Sequence, residues 1–241
     1  MFDKVLWLDT ETTGLDPKVA SILQIGWMAE VDRTPGDIRL AKVQPILHQE
    51  DKLYGKFPIL EFCTGYNSRM KMHEKDPDRL EAFSFPQGDP LFTHARSALG
   101  FNIKPPDIAD PADWLLGDGV KPAGEVIGNL IAALDVPGNR WVMAGHNVSF
   151  DYKVLWWWSK RIMGDDYVLL MDKINKFVFL DTLSLSRWMQ YSGRLPIPKA
   201  TLGKVAQYLG LDASNAHAAD ADVALSRDSA KIMLGMETDD A

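Results

Sequence analysis

The hydrophobic pattern opens on a short unbroken run, Val5-Leu6-Trp7-Leu8, with polar residues on either side. Continuous apolar residues at that length predict a strand covered on both faces, and therefore the middle of a sheet. Residues 20–31 and 38–46 read as second and third strands, joined through the turn-forming Asp32-Arg33-Thr34-Pro35-Gly36-Asp37. Short links between consecutive strands predict an antiparallel meander.

Periodicity then fades. Residues 56–72 read as helical after Pro58, while 83–122 are rich in Pro, Asp and Gly, with apolar islands such as Trp114-Leu115-Leu116. Those aromatics imply packing, so an ordered insertion at about 48–121 is expected within a single domain spanning 1–241. Regular structure returns with the stripe Val126, Ile127, Leu130, Ile131 and Leu134, which predicts a helix over 123–134 ended by Pro137-Gly138. Strands follow at 141–145 and 177–180, and helices at 150–163, 183–191, 201–209 and 218–235. A meander followed by alternating helices and strands predicts an α/β fold of three layers, with helices around one mixed sheet.

Charge and composition narrow the chemistry. A net charge of −7 and a pI near 5.2 exclude a protein that coats nucleic acid through a broad basic surface, but not an enzyme that grips a few phosphates through metal ions. No apolar stretch reaches the roughly 18 residues a membrane span needs, so no membrane association is expected. The sequence enters its first strand directly, so no signal peptide is expected. Cys63 is the only cysteine, so neither an internal disulfide nor a thiolate metal cluster is expected, and a reducing cytoplasmic setting fits.

Polar residues gather where apolar elements stop. Asp9 and Glu11 end the first strand at i and i+2, and side chains alternate along a strand, so both point to the same side. Two anions held that close repel, and a divalent cation between them is the usual remedy. The strand 141–145 finishes at His146-Asn147-Val148-Ser149-Phe150-Asp151, which puts Asp151 near the start of the next helix. Near the end comes His217-Ala218-Ala219-Asp220-Ala221-Asp222, whose small alanines let other backbone approach closely.

Asp9-x-Glu11, Asp151 in its H-N-x-x-F-D setting, and His217-x-Ala-x-x-Asp222 resemble the three motifs of the DEDDh (DnaQ-like) 3′→5′ exonucleases, in the family's order and across nearly the whole chain. Asp181-Thr182-Leu183 resembles the family's supporting D-T-L strand end. The stretch from Glu11 to Asp151 is longer than in compact members, and the excess coincides with the expected insertion between the first two motifs.

The resemblance implies a ribonuclease-H-like fold and hydrolysis of terminal phosphodiester bonds with two divalent ions, Mg²⁺ or Mn²⁺ being favoured by all-oxygen ligands. By similarity Asp9 bridges the ions, Glu11 and Asp222 complete the first site, Asp151 serves the second, and His217 is the general base. The Thr12 backbone meets the 3′-hydroxyl, Leu15 wedges against the last base, and Phe150 packs nearby. The expected partner is the 3′ end of single-stranded nucleic acid, DNA ahead of RNA, with nucleoside 5′-monophosphates released. An oligoribonuclease-like enzyme on short RNA is the alternative within that chemistry, and a non-catalytic binding or scaffold protein the alternative outside it.

Other polar and aromatic residues read as structural. His146 and Asn147 are expected to bond loop backbone, Asp220 to be solvated, and Trp156-Trp157-Trp158 to serve packing, because consecutive helical residues point in different directions. His48, His73 and His94 carry no paired spacing.

Overall fold

The structure is a computed structural model and describes residues 2–12, 16–18, 20–43, 52–53, 57–58, 120–214, 216 and 218–236. Strands β1 (Lys4–Thr12), β2 (Ile22–Val31), β3 (Thr34–Pro35) and β4 (Arg39–Val43) come first. β5 (Lys52–Leu53) and β6 (Phe57–Pro58) form a separate antiparallel pair. β7 (Val120–Lys121), helix α1 (Ala123–Ala133), β8 (Trp141–Gly145) and α2 (Val148–Met163) follow. A 3₁₀ turn over Gly164–Tyr167 leads to α3 (Val168–Met171), β9 (Ile174–Asp181), α4 (Thr182–Tyr191), α5 (Leu202–Tyr208) and α6 (Ala219–Met233).

The main sheet runs β7-β4-β2-β1-β8-β9, with β3 paired to β2. β1, β2 and β4 are antiparallel neighbours, as the meander predicts. β8 joins β1 in parallel and β9 joins β8 in parallel. β1 is therefore central, and its apolar run is buried on both sides. Leu6 and Leu8 enter a large core with Val126, Ile127 and Leu130 of α1 and Val154, Leu155 and Trp158 of α2. Trp7 faces the other way, onto Met28, Ala144 and Val223 and Ala230 of α6. Helices α4 and α5 pack against α6 through smaller clusters around Met189, Val205 and Met233, and around Leu202, Ala206 and Leu225. Three layers result, with the mixed sheet in the middle.

Differences from the sequence reading lie at the ends of elements. β1 extends through Asp9 and Glu11 to Thr12, because Thr10 and Glu11 still pair with Ile25 and Gln24 across the ladder. β9 begins at Ile174 rather than Phe177, and Gly164–Met171, to which the pattern assigns no element, is helical. The third strand ends within the described residues at Val43, and residues 44–46 lie outside them. The insertion expected at about 48–121 and the helix at 56–72 also lie outside the described residues, apart from 52–53, 57–58 and 120–121. Among the described residues no helix is long and apolar enough to cross a membrane.

Trp158 is fully buried, as packing predicts, and Trp156 packs edge-on to Tyr167 at 5.4 Å. Trp157 is half-buried beneath Lys18, whose Nζ lies 5.8 Å from the ring centre.

Candidate metal centre

The alternation of β1 distributes the site over two faces of the sheet. Asp9 and Glu11 share the side of Trp7, the side covered by α6. There Asp222, in the first turn of α6, meets them: one carboxylate oxygen from each of Asp9, Glu11 and Asp222 lies within 4.8 Å of the others. Thr10 points to the opposite side, the side covered by α2. Its amide N–H and hydroxyl both donate to Oδ1 of Asp151, at 3.1 and 2.6 Å. Asp151 is thereby tied to the strand. Both Asp151 and Asp222 sit in helical first turns, where the partial positive charge of the helix end favours an anion.

That help is insufficient for four carboxylates in a buried setting. Burial pushes the Asp9 carboxyl well above the usual carboxylate range, and repulsion from Asp151, Asp222 and Glu11 adds to it. Glu11 is raised well above its ordinary value by burial, then by Asp222 and Asp151. Asp151 is pushed up to about 7 by burial, although the two Thr10 hydrogen bonds favour its charged form. A cluster in which ionisation is opposed by burial and by like charge is stabilised by a cation or by protons.

The donor set suits a hard cation. Oxygens about 2.0–2.6 Å from a Mg²⁺ or Ca²⁺ ion stand up to roughly 4–5 Å from one another, and the Asp9, Glu11 and Asp222 oxygens, within 4.8 Å of each other, are close enough to share one ion. A further oxygen faces the same way. Gln24 lies directly across from Glu11, and its buried Oε1 has no hydrogen-bond partner among the described residues. Residues opposite one another in an antiparallel pair share a face, so Gln24 belongs to the polar wall of the site.

Two glycines let these elements converge. Gly26 pairs with Asp9, and the start of α6 crosses directly over it: a Cβ built there would lie 2.8 Å from the Asp220 amide nitrogen and would overlap the Ala219 carbonyl. Ala219 is fully buried in this crossing. At the end of β8, a Cβ on Gly145 would stand 2.6 Å from the Leu8 carbonyl oxygen. Farther along α6, Arg227 Nε donates to Glu30 Oε2 at 2.8 Å, and Trp7 Nε1 donates to the same oxygen at 3.2 Å. α6 is thus seated on β2 by a close backbone crossing at one end and a buried ion pair beyond it.

The loop between β8 and α2 is held by β9. Asn147 adopts a left-handed conformation with φ 66°, and its N–H donates to Asp181 Oδ1 at 2.8 Å. The same carboxylate accepts from the Leu183 amide at 3.1 Å and from Ser184 Oγ at 2.7 Å, capping α4. His146 is wired on both ring nitrogens, to Thr182 Oγ1 at 3.0 Å and to the Ala200 carbonyl at 2.9 Å, and burial lowers its pKa. His146 thus bonds loop backbone at Ala200, as expected, and both it and Asn147 also line the cleft beside Asp9 and Asp222.

Of the other predicted site residues, Thr12 ends β1 and is buried, and Phe150 is half-buried in the first turn of α2 against the large core. Asp220 is half-buried in the first turn of α6 rather than fully solvated, because the same turn presses onto β2. His217 and Leu15 lie outside the described residues. The sequence reading missed Thr10, Gln24 and Gly26. Only the i, i+1 position of Thr10 inside Asp9-x-Glu11 hinted at one of them.

A cleft of about 570 Å³ opens beside the carboxylates, lined by Asp9 and Asp222 at the site and by Arg187, Gln190, Lys199 and Thr201, among others, from α4 and beyond. It lies where polypeptide leaves the ends of β1 and β8, the usual position of sites in open α/β sheets.

No protein-family model and no curated protein sequence matches the chain. Solved structures do. The chain resembles E. coli exonuclease I in complex with a dT13 oligonucleotide at 19% identity and a TM-score of 0.57, over 96% of this chain and 41% of that one. The zinc-ion-bound form of the E. coli exonuclease I–single-stranded DNA complex matches at 18% identity and 0.56, over 98% and 41%. A moderately thermophilic exonuclease I from Methylocaldum szegediense matches at 16% and 0.54, over 95% and 40%. The chain therefore spans about two fifths of the length of these structures. At such identities the likeness establishes architecture: the chain has the ribonuclease-H-like fold of exonuclease I.

Proposed function

We propose that the chain is a metal-dependent 3′→5′ exonuclease that removes nucleoside 5′-monophosphates from single-stranded DNA. The observation that carries this reading is the convergence of Asp9, Glu11 and Asp222 within 4.8 Å, with Asp151 fixed alongside by Thr10. Support comes also from the fold, shared with exonuclease I structures that hold dT13 and dA16 oligonucleotides.

In this reading Asp9, Glu11, Asp222 and Asp151 would hold two divalent ions, Mg²⁺ or Mn²⁺, through their carboxylate oxygens. When bound, such ions lower the pKa of water and offset charge on the leaving oxygen. The protein's own part is positioning. Asp9 and Glu11 project from the central strand, whose neighbours on both sides restrain it. Asp222 is brought in by a helix start that crosses in close contact over Gly26. His217 takes the proton from the attacking water. The Thr12 backbone receives the 3′-hydroxyl, and Leu15 and Phe150 pack against the terminal base, contacts that carry little sequence information.

The test is nucleotide release from labelled DNA and RNA oligomers of graded length, with Mg²⁺ and with EDTA. Mononucleotides should leave the 3′ end of DNA with Mg²⁺ only, and Asp9→Ala should lower the rate by about 10²–10³-fold or more. Release confined to the shortest RNAs would replace the substrate assignment. Release that survives Asp9→Ala, or none from the wild type, would defeat the reading.

A further inference from the structure

From Thr182 to Leu211 the sequence holds four cations, Arg187, Arg194, Lys199 and Lys204, and no carboxylate, in a chain whose net charge is −7. All four are exposed. Arg187 and Lys199 line the same cleft as Asp9 and Asp222. Among the described residues neither forms an ion pair. Four exposed cations without an interspersed carboxylate make this stretch locally basic, and an anion laid along it is favoured.

The same helix leaves two large aromatics in water. Trp188 is 64% and Tyr191 84% exposed, and their rings lie 5.7 Å apart with an interplanar angle of 32°. Spacings of i, i+3 and i, i+4 put Arg187, Trp188 and Tyr191 along adjoining strips of α4. Cations and exposed flat rings on and just after one helix, beside a cleft that ends at the carboxylates, match a ligand that carries both phosphates and bases. Stacking on such rings tolerates any base.

Resting on the nuclease reading, we propose that α4 and the loop after it carry the strand 5′ of the scissile bond. Arg187 and Lys199 hold the phosphates nearest the reacting one, Trp188 and Tyr191 stack the bases behind it, and Arg194 and Lys204 add to the attractive field. The overall acidity of the chain is then no argument for very short substrates, because the strand crosses a locally basic surface.

Binding of fluorescein-labelled dT12, followed by anisotropy in EDTA so that no turnover occurs, tests the proposal. The double variant Trp188→Ala/Tyr191→Ala should bind at least about tenfold more weakly. Lys199→Ala should reduce the slope of log affinity against log salt by about 0.7. All three side chains are exposed, and thermal melting at wild-type temperature verifies folding. Wild-type affinity in the double variant with an unchanged salt slope for Lys199→Ala overturns the track, as does a wild type that does not bind dT12. Mononucleotide release with Mg²⁺ is scored separately: release with variant-insensitive dT12 binding defeats the track alone. Variant-sensitive binding without release defeats the nuclease reading and leaves the track standing as a single-strand-binding surface.

Discussion

Gly26 offers the sharpest test of how the fold builds the site, because it touches no ligand. Gly26→Ala places a methyl group 2.8 Å from the Asp220 amide nitrogen and into the Ala219 carbonyl. Ordinary contact begins near 3.4 Å, so the first turn of α6 must retreat by at least 0.6 Å, and by about 1 Å to clear the carbonyl. Asp222 lies in that turn, its amide bonded to the Ala218 carbonyl at 2.9 Å, and moves with it. Metal–ligand distances tolerate only about 0.2 Å, and a 1 Å misplacement costs about a hundredfold in rate. Overpacking adds about 1–3 kcal/mol of destabilisation. Calorimetric titration with Mn²⁺ should show affinity at least about tenfold weaker, and nucleotide release should fall by about a hundredfold. Gly128→Ala is the control: its methyl group meets nothing within 4 Å on the exposed face of α1, and it should raise stability by about 0.5–1 kcal/mol. Wild-type Mn²⁺ affinity and melting temperature in Gly26→Ala would refute the reasoning.

Three other predictions follow from the same structure. Asp151, near 7 when folded against 3.8 as its ordinary value, binds more protons folded than unfolded between those limits, so metal-free stability should fall by up to about 4 kcal/mol as pH rises from 4 to 7. Melting in EDTA across that range measures the fall; Mg²⁺ should reverse it near neutrality, and stability that rises with pH would contradict the burial of the cluster. Asp181→Ala removes the α4 cap and the Asn147 anchor together, and should cost about 1–2 kcal/mol in urea unfolding while lowering turnover. Glu30→Ala removes the carboxylate nearest the buried Arg227, leaving Asp228 at 3.6 Å, and should cost about 1–3 kcal/mol, more than loss of an exposed pair such as Lys121–Glu125.

What the sequence determined by itself was local. A continuous apolar run specified β1 as central, the period of two put Asp9 and Glu11 on one side, and the stripe through Val126, Ile127 and Leu130 specified α1 and its buried face. These are short-range periodicities, set by backbone geometry within one element. Tertiary structure decided the rest. That Thr10 serves Asp151 depends on which helix covers the other face of β1. Gly26 matters because sheet register sets it opposite Asp9 and helix packing brings Ala219 across it. Gln24 faces the site through that same register, and Asp181 holds Asn147 because β9 lies beside β8. Residues that meet across strand pairs and layers leave no period in the chain, since register and packing are fixed by the whole fold at once.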